Sequence, residues 1–216
     1  MDFQKLITVL RTAETKEEMN DRREEMAGVI PDLRLMFDYD QQNRFHQYDL
    51  WSHSLETVLG LTAGRDDDIL LLAALLHDIG KPETRTVGEY GGKVNMHYFG
   101  HAKKGAELLR ERVIPFLKEN GAALSDKDAE RLIYYVLHHD DNMEPDGQNL
   151  RKELENGVPL SVLENLLSLQ IADISAHILL PSLARKLEIC RRMQRTMKVH
   201  GGNEFRTFLS QKGTTL

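Results

Sequence analysis

Two imidazoles and two carboxylates stand in apolar surroundings in this sequence: His53, His77, Asp78 and Asp173. His77 and Asp78 end the run ILLLAALL, residues 69–76. Two adjacent polar side chains at the end of such a run cost free energy unless they are paired or bind a cation. Asp173 lies inside LENLLSLQIADISAHILL, and an unpaired carboxylate there would cost several kcal/mol or take up a proton. His53 lies in YDLWSHSLETVLGL, among Leu50, Trp51, Val58 and Leu61. Each residue also has a plainer reading. The His-Asp pair could mark where a helix surfaces, as His139-Asp140 could. Asp173 could form a buried salt bridge or cap a neighbouring helix. His53 could be a core histidine bonded to a carbonyl, which its spacing alone favours. As a set, the four donors suit a divalent cation.

The elements that must position these groups read as helices. Residues 2–11 form an amphipathic pattern, and Thr15 with Glu18 has the spacing of a capping box that opens a second helix ending near Gly28. Pro31 suits the first turn of a short helix through Phe37. Residues 49–62 follow, with Asp49 as cap, and Asp66, Asp67 and Asp68 supply an acidic start to the next helix. That helix is apolar all round, which predicts a buried central position, and it stops at Gly80 before Pro82. A β-hairpin is expected over 84–96, where TRTV and KVNM flank Gly88, Gly91 and Gly92. Helices are expected again at 100–119, 126–139, 148–156, 160–178 and 182–199, with the last dozen residues as a frayed terminal helix. The domain reading is an N-terminal helical appendage over 1–28, one main domain over 29–200 and a tail over 201–216.

The 216 residues suffice for one substantial core. A net charge of −6 argues against a broad nucleic-acid groove, but not against a small phosphorylated ligand. The single cysteine, Cys190, excludes an intrachain disulfide and multi-thiolate zinc within one chain, so any metal must take nitrogen and oxygen donors. The N-terminus becomes charged at once, which fits neither a signal peptide nor a transmembrane helix and makes the cytoplasm the expected location, with no membrane partner.

The order His53, His77-Asp78, Asp173 is similar to the H…HD…D signature of the HD superfamily of metal-dependent phosphohydrolases, and LLHDIGKP at 75–82 resembles its best-known local form. IPDLRLMFDYDQ, HQYDLWSH, LLLAALLHDIGKP, HYFGHAKKGAELL and LLSLQIADISAH resemble, in the same order, the HD region of bacterial tRNA nucleotidyltransferases. This likeness covers roughly residues 29–181. The polymerase head of those enzymes has no counterpart in the sequence, so nucleotide addition is not expected.

The resemblance implies an all-α HD-domain bundle and a first metal held by His53, His77, Asp78 and Asp173. It adds His101 and His139, with the adjacent His138 as alternative, for a second ion that Asp78 would bridge. One or two divalent ions are implied, among Fe, Mn, Co, Ni, Zn and Mg. Asp78 and Lys81 are the implied catalytic residues, Lys81 through substrate phosphate, although it could equally be an exposed charge past a helix end. His97, Tyr98 and Lys104 are expected at the mouth of the site, while His46, His177 and His200 carry no assigned role. The expected reaction is metal-assisted hydrolysis of a phosphomonoester or phosphodiester, of a nucleotide or other small phosphoester, with an RNA terminus as a further partner and the oligomeric state open. The alternatives are a di-iron oxygenase of the same superfamily and a non-catalytic RNA-binding or regulatory module.

Overall fold

The structure, a computed structural model, describes residues 1–62 and 64–212, and the side chains of these except Tyr90 and residues 200–212. The chain runs α1 (Phe3–Thr12), α2 (Lys16–Asn20), α3 (Arg23–Val29), a 3-10 turn (Pro31–Leu35), α4 (Leu50–Leu59), α5 (Asp68–Leu76) and α6 (Lys81–Thr84). The antiparallel hairpin β1 (Thr86–Tyr90) and β2 (Lys93–His97) comes next. It is followed by α7 (His101–Leu108), a π-turn (Leu109–Val113), α8 (Ile114–Glu119), α9 (Asp126–His138), α10 (Gln148–Glu155), α11 (Leu160–Ser175) and α12 (Pro181–Lys212). The all-α bundle with one small hairpin is therefore as the sequence predicts. Among the described residues no helix is long and apolar enough to cross a membrane.

α5 sits at the centre because nothing on it after Asp68 can face water. Leu70 through Leu76 are all completely buried, each leucine contributing about 1.5–3 kcal/mol relative to exposure. Its start is fixed by Asp67, whose side chain accepts from the Ile69 and Leu70 amides and is held in turn by Arg131 and Asn165. Residues 1–28, expected as an appendage, bury Leu6, Ile7, Leu10, Met19 and Met26 in the same apolar cluster as α5 and have no core of their own. A second cluster joins Leu150 and Leu154 of α10, Leu163, Leu167 and Ile174 of α11, and Leu187, Cys190, Met193 and Met197 of α12.

Several element boundaries differ from the sequence reading. The helix expected from Thr15 to Gly28 breaks into α2 and α3 at Asp21-Arg22, and Glu18 accepts from the Glu14 amide rather than that of Thr15. The single helix expected over 100–119 is widened by the π-turn, where the Ile114 amide bonds to Leu109 five residues back. Pro115 follows immediately, and a residue without an amide hydrogen cannot sustain the regular ladder there. α11 ends at Ser175 rather than 178, and α12 continues without a break to Lys212, past the boundary expected at 200.

Two local features carry the chain to the site. Gly80 ends the turn after α5 and lies against α7: a Cβ there would fall 2.2 Å from the His101 carbonyl oxygen and 2.6 Å from the Gly105 nitrogen. The hairpin docks on the loop before α4, with the Met96 amide bonded to the Gln42 carbonyl and the Tyr98 hydroxyl donating to that of Gln41. Both contacts involve backbone, so neither can shift cheaply. Gly80→Ala should destabilise the fold by about 1–3 kcal/mol, measurable as a lower Tm; an unchanged Tm would show that α7 does not press on Gly80.

Candidate metal centre

Five helices bring polar side chains to one cleft. His53 lies on α4, His77 and Asp78 directly follow α5, His101 begins α7, His139 directly follows α9, and Asp173 lies in the last turn of α11. Asp78 is at the centre. Its Oδ2 is 3.2 Å from His77 Nε2 and 3.5 Å from His53 Nε2, while its Oδ1 is 3.3 Å from His101 Nε2 and 3.6 Å from His139 Nε2. Asp173 Oδ1 lies 2.9 Å from His53 Nε2 and 3.5 Å from His77 Nε2. The sequence-predicted donors thus form two adjoining groups, His53-His77-Asp173 and His101-His139, with one carboxylate oxygen of Asp78 directed at each.

The ring orientations follow from the helix ends. His77 Nδ1 donates to the Ala74 carbonyl at 2.9 Å, His101 Nδ1 to Tyr98 at 2.8 Å, and His139 Nδ1 to Val136 at 2.8 Å. In all three the acceptor stands three residues upstream. The Nε2 atom is left facing the carboxylates, the arrangement by which a backbone bond fixes the tautomer of a metal-ligating histidine. Imidazole nitrogens and carboxylate oxygens fit a divalent cation such as manganese, iron, cobalt, nickel or zinc, and the groups His53-His77-Asp173 and His77-Asp78-His139 each have their donor atoms within 4.8 Å of one another.

Lys81, one turn beyond Asp78, is buried rather than exposed. Its ammonium lies 2.6 Å from Asp78 Oδ2, donates to Gln41 Oε1 at 2.8 Å and sits 3.4 Å from His46 Nε2. His139 rather than His138 joins the cluster: one residue earlier on the helix, His138 points away and pairs with Asp141 at 2.6 Å. Lys104 does not line the cleft; it is drawn off by Glu83 at 3.1 Å and Glu107 at 3.7 Å. His97 and Tyr98 do line it. Three residues given no role in the sequence reading stand beside the cluster. His177 Nδ1 is 3.5 Å from Asp173 Oδ1, His46 packs on the His177 ring at 4.5 Å, and Gln41 holds Lys81. His177 follows Asp173 by four residues, a helical spacing visible in sequence; His46 and Gln41 lie on an irregular loop with no period to reveal them. The side chain of His200 lies outside the described residues.

Charge in this cluster is strongly biased. Burial pushes the His53 imidazole down to about 4 despite Asp173 beside it. Burial works the same way on His77, but Asp78 and Asp173 outweigh it and raise this group to about 10. Burial opposes ionisation of Asp78 and Asp173 too. Lys81 and His77 overcome it for the first, His177 and His53 for the second, and both carboxyls stay well below the usual range. Burial also lowers His46 and His101.

These shifts give the metal-free protein a defined acid response. From pH 10 down to 6.5 the raised His77 adds stability as it is protonated; below 6.5 it is charged in both states and adds no slope. The depressed histidines then remove stability as pH falls from 6.5 toward 4, because the unfolded chain takes up protons first. Below that, the two depressed carboxyls extend the loss. Chemical denaturation in a chelator should therefore show a stability maximum near pH 6.5; a midpoint that stays level from there down to 4 would contradict it.

The HD domain family matches residues 50–175, from the start of α4 to the end of α11, and so includes every donor named above. The chain is 35% identical over 137 residues to the A-adding tRNA nucleotidyltransferase of Deinococcus radiodurans, a match covering 62% of this chain and 29% of that one. It is 32% identical over 132 residues to the CC-adding tRNA nucleotidyltransferase of Thermus thermophilus, covering 59% and 28%. The matched stretch is thus less than a third of either relative's length. Since the family match takes in more than half of its residues, this chain belongs to the HD domain family.

Proposed function

We propose that the protein is a metal-dependent phosphohydrolase acting on a nucleotide or another small phosphoester. The observation that carries this reading is the double engagement of Asp78, whose two oxygens face separate histidine pairs within one cleft. His53, His77, Asp78 and Asp173 would hold one divalent ion, and His101 with His139 would hold a second that shares Asp78. Ions bound there would lower the pKa of coordinated water and draw charge from phosphoryl oxygens.

The remaining chemistry belongs to the chain. Lys81 keeps an ammonium at the cleft wall, where it can meet a phosphoryl oxygen, and Gln41 and His46 fix its position. The histidine Nδ1 bonds to backbone hold the rings before substrate arrives, which limits reorganisation during the reaction. The cleft encloses about 390 Å³, within the range of about 300–1,000 Å³ typical of small-molecule sites. The names of the two relatives refer to tRNA and nucleotide addition, which favours nucleotides or RNA ends among phosphoester substrates.

Metal analysis paired with a phosphatase and phosphodiesterase panel tests the proposal. Asp78→Ala should lose bound metal and lower hydrolysis by more than about 100-fold; metal content equal to wild type would refute the centre. His139→Ala should lower the metal stoichiometry, whereas His138→Ala should retain it. Lys81→Gln should keep its metal and raise KM for phosphoesters.

A further inference from the structure

One wall of the cleft is built of rings that the metal centre does not use. Phe99 is 79% exposed, although it lines the same cleft as Asp78 and Asp173. Its ring stacks on His97, with centroids 5.2 Å apart and planes 8° from parallel. The His97 ring in turn lies across Gly88 on the neighbouring strand, where a Cβ would come within 2.2 Å of its Cδ2 and Nε2 atoms. The bare glycine therefore makes the room that the imidazole occupies. Phe99 is also tied in sequence to the centre: Gly100, in the left-handed region at φ +78°, turns the chain directly from Phe99 into His101. Lys186 lines the same cleft with its ammonium held 3.1 Å from Asp140.

We propose that the His97–Phe99 pair, seated on Gly88, is a stacking platform for the base of a nucleotide substrate whose phosphate lies at the Asp78 centre. The proposal rests on the phosphohydrolase reading for the placement of the phosphate, but not for the stacking itself. An exposed ring beside a polar cleft has one free π-face, and such a face accepts any nucleobase with little regard to its edge. His97 ends the hairpin and Phe99 follows it, with Met96 and Tyr98 anchored to the loop before α4, which holds the platform at a fixed distance from the cluster. The specificity expected is for a base-bearing phosphoester over the same sugar phosphate without a base.

Equilibrium binding of adenosine 5′-monophosphate and ribose 5-phosphate to the metal-replete full chain, measured by calorimetry alongside their hydrolysis, tests it. Wild type should bind the nucleotide about tenfold more tightly than the sugar phosphate. Phe99→Ala should abolish most of that ratio and Phe99→Trp should keep it. Gly88→Ala, with folding checked by circular dichroism, should lower it by displacing His97. Equal affinity of wild type for both ligands, or a ratio unaffected by Phe99→Ala, overturns the platform even if both are hydrolysed. A ratio lost in Phe99→Ala without hydrolysis of either ligand upholds the platform and counts instead against 5′-phosphomonoesters as substrates of the phosphohydrolase.

Discussion

Two ionised carboxylates, Asp78 and Asp173, are buried in a helical interior of leucines, and the rest of the structure answers to that fact. A charge removed from water must be met by opposite charge and directed hydrogen bonds, or it will be neutralised by a proton. Here Lys81, His53, His77, His101 and His139 surround the two acids. Two carboxylates facing one ammonium leave negative charge that a proton on His77 or a divalent ion can balance. The same cluster is costly as a packing element and has a donor set suited to a cation.

The scaffold is organised to hold those groups rather than merely to bury them. α5 contributes its end, not its length: its apolar body fixes depth in the core, and the turn that follows delivers His77, Asp78 and Lys81 within five residues. The close approach at Gly80 brings the start of α7 against that turn, which places His101 opposite His77 across Asp78. α4 and α11 supply His53 and Asp173 from the other side. Helix ends are well suited to this work, because a carbonyl near the end of a turn can accept from a histidine Nδ1 and so set its ring.

Most of the architecture and part of the polar cluster were legible in the sequence because they obey a period or a contrast, while His53, His101 and His139 were assigned through the family resemblance. The apolar run of α5 announced its burial, Asp67 and Asp49 marked helix starts, and paired glycines marked the hairpin. Polar residues inside apolar runs identified His77, Asp78 and Asp173. What escaped was set by tertiary contacts. The choice between His138 and His139 depends on how α9 is rotated, which adjacent residues in a sequence cannot reveal. Gln41 and His46 reach Lys81 from a loop with positive φ at Asp38 and Gln42, a path that no periodicity describes. The packing of residues 1–28 into the main cluster likewise depends on α5 offering a face to α1.

α11 is buried against both apolar clusters. Leu166, Leu169 and Ala172 belong to the cluster around α5, while Leu163, Leu167 and Ile174 belong to the cluster built with α12. Displacing the helix would disturb both clusters at once, which couples their stabilities. Whatever steadies Asp173 is thereby transmitted along α11 into the C-terminal helix. An ion held at Asp173 would raise the hydrogen-exchange protection of α12 around Cys190 and Met193, neither of which is a donor in the cluster.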